Sequence, residues 1–412
     1  MDETINRKRL FYGACVALLV TSMTFAFRVV FDSEFGPDGY GYALEDVGWA
    51  FLPAFWGFTA AMMIGGPLAD RFGLKTIARI AFVTHVIGII ITILSKDITT
   101  LFIATCFIGL GNGFVEAAFN PMVASLYPNQ KTKMLNRFHV WFPAGILIGG
   151  ALAFVLVDNM GISWQILMAL LFLPTAVYGY MIFNERFPVT ERVSMGISEG
   201  KMWASLATPL YLFIGFCMLL TAATELGTNQ RIGAILGNTG TSAILVLAFI
   251  NGIMALGRLF GGDLVHRISI PVVLLASAVI SSIGLYMMSV STGGLLWVSA
   301  AVFAVGITFF WPNMLGFIAE YIPESGALGL SVMGGLGMLS AGVAQPIIGS
   351  MLGDPGGQIE TAAQVDAAAS FLGNMALLPA ILVVLFGGLL VYMRGRGRKT
   401  NPISGGPGLR PG

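Results

Sequence analysis

Three side chains in one stretch of the sequence have the type and spacing for proton chemistry. Asn112, Glu116 and Asn120 recur at i, i+4 and i+8 within GLGNGFVEAAFNP, so on a helix they line one face. Their neighbours are apolar. A carboxyl group in apolar surroundings favours its neutral form and can hold a proton near neutral pH, which a proton-driven carrier requires. The same groups could instead tie packed helices together, since the nearby glycines allow close approach.

Other residues add to this chemistry. His139 could titrate near neutral pH or sit satisfied near an interface. Trp141 offers a face for a sugar ring, or fills a helix interface. Farther on, the apolar run 213–220 gives way to TELGTNQR, where Glu225, Thr228 and Asn229 share a face at i, i+3 and i+4. That density of polar groups reads as a broken helix facing a cavity, or as an ordinary helix end at the external interface. Asn251, Trp311, Asn313 and Gln345 supply further amides and an aromatic. Hydroxyl-rich solutes are recognised by amides and carboxylates set against aromatic faces. Arg28 has three readings: a bidentate partner for a substrate carboxylate, a partner of Glu34 or Glu225, or a side chain snorkelling to the interface.

The elements that must position these groups follow from composition. Of 412 residues, 56% are hydrophobic and only 10% charged. A soluble fold carries about a quarter charged residues. The apolar residues fall in charge-free runs such as 10–27, 98–115, 138–157, 268–319 and 367–393. About 20 apolar residues cross the hydrocarbon core as a helix. The run 268–319 is long enough for two crossings, with Ser291, Thr292, Gly293 and Gly294 as the turn. Twelve segments result: 10–31, 47–69, 76–95, 99–126, 137–157, 163–183, 208–231, 242–262, 271–290, 294–320, 328–351 and 370–393. The first follows Arg7, Lys8 and Arg9. It is too long for a signal-peptide core and lacks a cleavage site, so it is read as a retained helix.

The charged break 184–201 divides the segments into two sets of six. The expected units are a first half, 1–183, a linker, 184–207, a second half, 208–393, and a disordered basic tail, 394–412. Loop charges orient the chain. Arg71, Lys75, Arg79, Lys131, Arg137, Arg192, Arg258, Arg267 and both termini fall on one side, and only Arg28, Lys96 and Arg231 on or near the other. The positive-inside rule makes the first side cytoplasmic. Cys15, Cys106 and Cys217 are dispersed over apolar segments as small fillers, with no metal-ligand or disulfide pattern. The net charge of +1 gives no reason to expect nucleic acid.

The loop after the second segment reads GGPLADRFGLK, and the loop after the eighth reads GRLFGGDLVHR. The two form a weak internal repeat of about half the chain, a known transporter architecture. The first loop resembles the G-x-L-A-D-R-x-G-x-K signature of the major facilitator superfamily. That resemblance implies an all-α membrane protein with twelve transmembrane helices in two six-helix halves, the major facilitator fold. It also implies a cytoplasmic latch in which Asp70 pairs near a neighbouring helix end and Arg71 holds another carboxylate. Arg258 and Arg267 would form a weaker second latch, where His266 replaces the aspartate. Glu116-Ala117-Ala118-Phe119-Asn120-Pro121, with Leu126, Pro128, Leu135, Asn136 and Gly145, resembles the fucose-permease branch of sugar:proton symporters. The resemblance implies that Glu116 handles protons and sugar. Two polar positions of the branch fall here on His139 and Phe142, and its first-helix carboxylate has no counterpart.

The combined expectation is a secondary transporter that moves a small polar solute, a sugar or polyol, with protons by alternating access. The proton is the coupling ion and no cofactor is called for. The alternatives are an organic-anion carrier centred on Arg28 and a membrane sensor or scaffold that does not transport. No catalytic or nucleotide-binding arrangement stands out, so no enzyme is expected. The expected partners are the small-molecule substrate and membrane lipid. The chain is expected to be a monomer in a bacterial inner membrane with both termini cytoplasmic.

Overall fold

The computed structural model describes residues 5–37, 39–228, 243–351 and 370–394. Within them, twelve helices are long and apolar enough to cross a membrane. They are α1 (Arg7–Arg28), α2 (Asp46–Phe72), α3 (Leu74–Leu94), α4 (Ile98–Leu126), α5 (Lys131–Asn159) and α6 (Trp164–Phe183). After the linker come α7 (Pro209–Gly227), α8 (Leu245–Gly262), α9 (Ile270–Val290), α10 (Gly294–Tyr321), α11 (Pro323–Ala344) and α12 (Ser370–Met393). Helices are what an apolar medium demands, because every backbone group must find its partner within the segment. Apart from Arg394, the expected tail, 394–412, lies outside the described residues.

Local chemistry sets the ends. Asp97 and Thr100 form a reciprocal capping box at the start of α4. Pro209 and Pro271 open α7 and α9, where a missing N–H costs nothing. The turn expected at 291–294 is present, with Gly293 at φ 58. α5 begins at Lys131, six residues before the expected start at 137. The polar residues of that first turn are satisfied by partners from other elements, so they do not end the helix.

Proline explains the interruptions. The helical hydrogen bonding breaks at residues 139–140, 170–171, 308–309 and 376. Each break lies three or four residues before a proline: Pro143, Pro174, Pro312 and Pro379. A proline has no N–H for the carbonyl four residues back, and its ring crowds that carbonyl. α7 ends instead in a π-helical turn, Ala223–Gly227, a form that is rare and concentrates at functional sites.

Small residues bring the first half together. A Cβ at Gly109 of α4 would strike the carbonyls of Pro53 and Ala54 in α2, and one at Gly113 would strike that of Phe58. A buried polar chain joins four helices. Tyr178 of α6 lies 3.0 Å from Nδ1 of His85 in α3, whose Nε2 lies 2.9 Å from Oδ1 of Asn112 in α4. Asn112 in turn donates to Thr24 of α1 at 3.0 Å. Asn112 is therefore a packing residue, which corrects its expected place beside the substrate.

Between the halves, α2 runs along α11. Gly66 meets Leu328 and Ser331, Met62 meets Gly334, and Phe55 meets Gly342. The linker contributes two short helices, Glu191–Ser194 and Glu199–Leu206.

Candidate functional site

Glu116 sits one turn past the middle of α4 and is 2% exposed. Asn120, one turn on, donates to its Oε2 at 3.0 Å. The amide oxygen of Asn120 lies 3.0 Å from Nε2 of His139, which lies at the break in α5. An amide oxygen only accepts, so His139 carries its hydrogen on Nε2. The i, i+4 spacing thus performs as expected for Glu116 and Asn120, and His139 joins them from the next helix.

Facing this chain, from the second half, is an ion pair. Arg258 of α8 donates to Glu225 at 2.7 Å, and the two side chains are 1% and 2% exposed. The remaining nitrogens of Arg258 are also engaged. Nε donates to the carbonyl of Thr308 at 2.7 Å and Nη1 to the carbonyl of His139 at 3.1 Å. Glu225 lies within the π-helical turn of α7. Its other oxygen and the indole N–H of buried Trp311 make no well-formed hydrogen bond, although the indole is turned toward Glu116 and the backbone N–H of Trp311 toward Glu225.

These groups enclose one small cavity. Glu116, His139, Phe142, Glu225, Leu226, Arg258, Trp311 and Met338 line it, and its volume is about 10 Å³. That is space for roughly one water molecule, so the halves are closed around the site. The cluster sets two carboxylates against one guanidinium.

Several expectations need correction. Arg258 is not a loop latch: its guanidinium turns into the protein, where Glu225 and two carbonyls compensate its charge. Glu225 is not at a wet interface but fully enclosed. Phe142 faces the cavity, whereas Trp141 packs against the surrounding core. Asn313 meets Asn136 of α5 at 2.9 Å, outside the cavity lining. Asn251 is buried and donates to the carbonyl of Leu247 in its own helix. Arg28 lies 5.1 Å over the ring of Phe51, away from the cavity. Asn229 and the side chain of Gln345 lie outside the described residues.

At the end carrying most of the loop basic residues, a separate set of polar contacts closes the halves. Asp70 pairs with Arg192 of the linker at 2.7 Å, while Arg71 is exposed beside Phe72. Arg267 is also exposed. The partner of Asp70 is thus a linker residue that sequence reasoning counted only as a loop charge. Lys131, 2% exposed, donates to both oxygens of Glu191 at 2.7 Å and to the carbonyl of Ala319 at 2.8 Å. Thr132 donates to Glu320 at 2.6 Å.

Residues 10–345 match the family model of the Major Facilitator Superfamily. The chain belongs to this superfamily. As a facilitator it shares its fold with transporters of several substrates. A crystal structure of the E. coli fucose:proton symporter FucP aligns with a TM-score of 0.70 at 13% identity, covering 92% of this chain and 98% of that one. The proton:xylose symporter XylE, bound to 6-bromo-6-deoxy-D-glucose, aligns at 0.73 and 13% identity, covering 96% and 97%. The human organic anion transporter MFSD10 aligns at 0.71 and 11% identity, covering 92% and 99%. Among curated sequences, the probable anion transporter 4, chloroplastic, of Oryza sativa subsp. japonica is 26% identical over 125 residues. That match spans 30% of this facilitator and about a fifth (21%) of the relative.

Proposed function

We propose that this facilitator carries a small, neutral, hydroxyl-bearing solute, a sugar or polyol, together with a proton. The observation that carries this reading is the enclosed cluster of Glu116, Glu225, Arg258 and Trp311. The second oxygen of Glu225 and the indole N–H of Trp311, neither in a well-formed hydrogen bond, offer one acceptor and one donor. A hydroxyl group can satisfy both, and the rings of Phe142 and Trp311 suit the apolar face of a sugar. Glu116 is the proton carrier: it is the carboxyl group of the cluster that stands outside the Glu225–Arg258 ion pair.

Alternating access supplies the motion. The halves rock about the site. Asp70–Arg192 and Lys131–Glu191 tie the first half to the linker, while the bonds of Lys131 to the carbonyl of Ala319 and of Thr132 to Glu320 cross to the second half and hold the basic end, taken as cytoplasmic, closed. Opening there requires these contacts to part.

A second reading, an organic-anion carrier, is supported by the likeness to the rice and human anion transporters. The charge of the site favours the neutral solute. With Glu116 protonated the Glu225–Arg258 pair is already balanced, so an anion would find no spare positive charge, the guanidinium being held by three acceptors. Uptake into proteoliposomes under an inward proton gradient separates the two. Neutral sugars or polyols should accumulate and dissipate the gradient. Accumulation of carboxylates alone would replace this reading with the second.

Arg28 gives an independent check. Arg28→Gln should leave substrate affinity within about threefold of wild type, because the residue lies outside the cavity lining. Loss of binding in folded protein, measured by calorimetry, would move the site toward Arg28 and the substrate toward an anion.

A further inference from the structure

Two proline breaks face each other across the boundary between the halves. Pro143 of α5 leaves the carbonyl of His139 without its helical donor, and Pro312 of α10 does the same to Thr308. These are the two carbonyls that Arg258 takes, at 3.1 and 2.7 Å. A backbone carbonyl inside an apolar bundle needs a donor, and one guanidinium serves both. The Thr308 bond and the Glu225 pair lie within the second half. The His139 bond crosses to the first.

We propose that Pro143 and Pro312 are positioning residues that make Arg258 a strut between the halves. Pro312 and Glu225 anchor the strut in the second half. Pro143 exposes the acceptor on which it rests in the first. The bond between Arg258 and His139 forms only when the halves close on the site, so it favours the closed state. The same His139 bonds through its ring to Asn120, and Asn120 to Glu116. The strut therefore ends on the residue that senses the first-half carboxylate. This inference rests on the alternating-access reading but not on which residue carries the proton.

Removing a proline here restores a helical donor in competition with Arg258. In Pro143→Ala the new N–H claims the carbonyl of His139, and the strut loses its first-half footing. Pro174→Ala is the control. Its freed carbonyl, Leu170, already accepts from Leu173 within its own helix at 3.1 Å. Arg258→Lys keeps a charge for Glu225 but cannot span three acceptors in a planar fork.

The test is electron–electron double resonance on full-length protein in lipid nanodiscs, without substrate. Spin labels at positions 160 and 290, exposed in the two halves, report their separation. Pro143→Ala should raise the ratio of separated to closed populations on the order of tenfold, as expected for losing a hydrogen bond to a charged group. Arg258→Lys should shift it similarly, and the double variant no further, since both remove one bond. Pro174→Ala should match wild type. Unchanged distances in Pro143→Ala, an equal shift in Pro174→Ala, or additive shifts in the double variant would each overturn the proposal. Failure of Glu116 as proton carrier would appear in accumulation assays and leave these distances unaffected.

Discussion

Glu116→Gln protein, reconstituted in proteoliposomes, should exchange substrate across the membrane at near wild-type rate and fail to concentrate it. The amide has the shape and charge of the protonated carboxyl, and its oxygen can still accept from Asn120. Binding and the loaded crossing therefore survive, while the requirement for a proton does not. With one proton per substrate, a gradient of one pH unit sustains roughly tenfold accumulation. The variant should fall to equality of inside and outside concentrations. Substrate affinity should also lose its pH dependence near neutrality. If the variant still concentrates substrate under an imposed proton gradient, Glu116 is a packing or contact residue and coupling lies elsewhere, with Glu225 the next candidate.

The largest effect on stability is expected at the opposite side of the cavity. Arg258→Met strands Glu225 in an enclosed site, and Glu225→Gln leaves a buried guanidinium short of its counter-charge. Breaking one side of such a pair costs about 3–5 kcal/mol, a large share of the roughly 5–15 kcal/mol that holds a domain folded. Both single variants should show a marked drop in melting temperature and in folded yield. Combining the two removes both charges and should recover much of the loss, because the penalty belongs to the unpaired partner rather than to the pair. A double variant as unstable as the sum of the singles would mean that the two residues act separately. The bonds of Arg258 to the carbonyls of His139 and Thr308 would then carry its share.

The limits of sequence reading show clearly at particular residues. The twelve spans were legible because a membrane helix writes its length directly into a charge-free run. The pairing of Glu116 with Asn120 was legible because i and i+4 stack on one face. Asn112 shows where that logic fades. Eight residues along a helix turn it by about 80° beyond two full turns. Asn120 thus reaches His139 of α5, while Asn112 reaches His85 of α3 and Thr24 of α1.

Arg258, Lys131 and Arg192 were all read as loop charges, since each lies near the basic end and satisfies the positive-inside rule. The rule counts charges and is blind to where the guanidinium or ammonium points. A usable signal for Arg258 was nevertheless present. Pro143 and Pro312 each imply an orphan carbonyl inside the bundle, and an arginine within reach is the natural donor to both. For Lys131 and Arg192 the signal was only the neighbouring acidic residues, which any loop contains.

The excess of one carboxylate over the guanidinium has an electrical consequence. With Glu116 protonated and a neutral solute bound, the Glu225–Arg258 pair is balanced, and the loaded site crosses without net charge. The empty site returns with Glu116 ionised and carries one negative charge outward. A membrane potential that is negative inside drives that return, by up to about 2.3 kcal/mol per 100 mV if the charge crosses the whole field. Voltage would then act on the reset of the carrier and leave the delivery step to the chemical gradients alone.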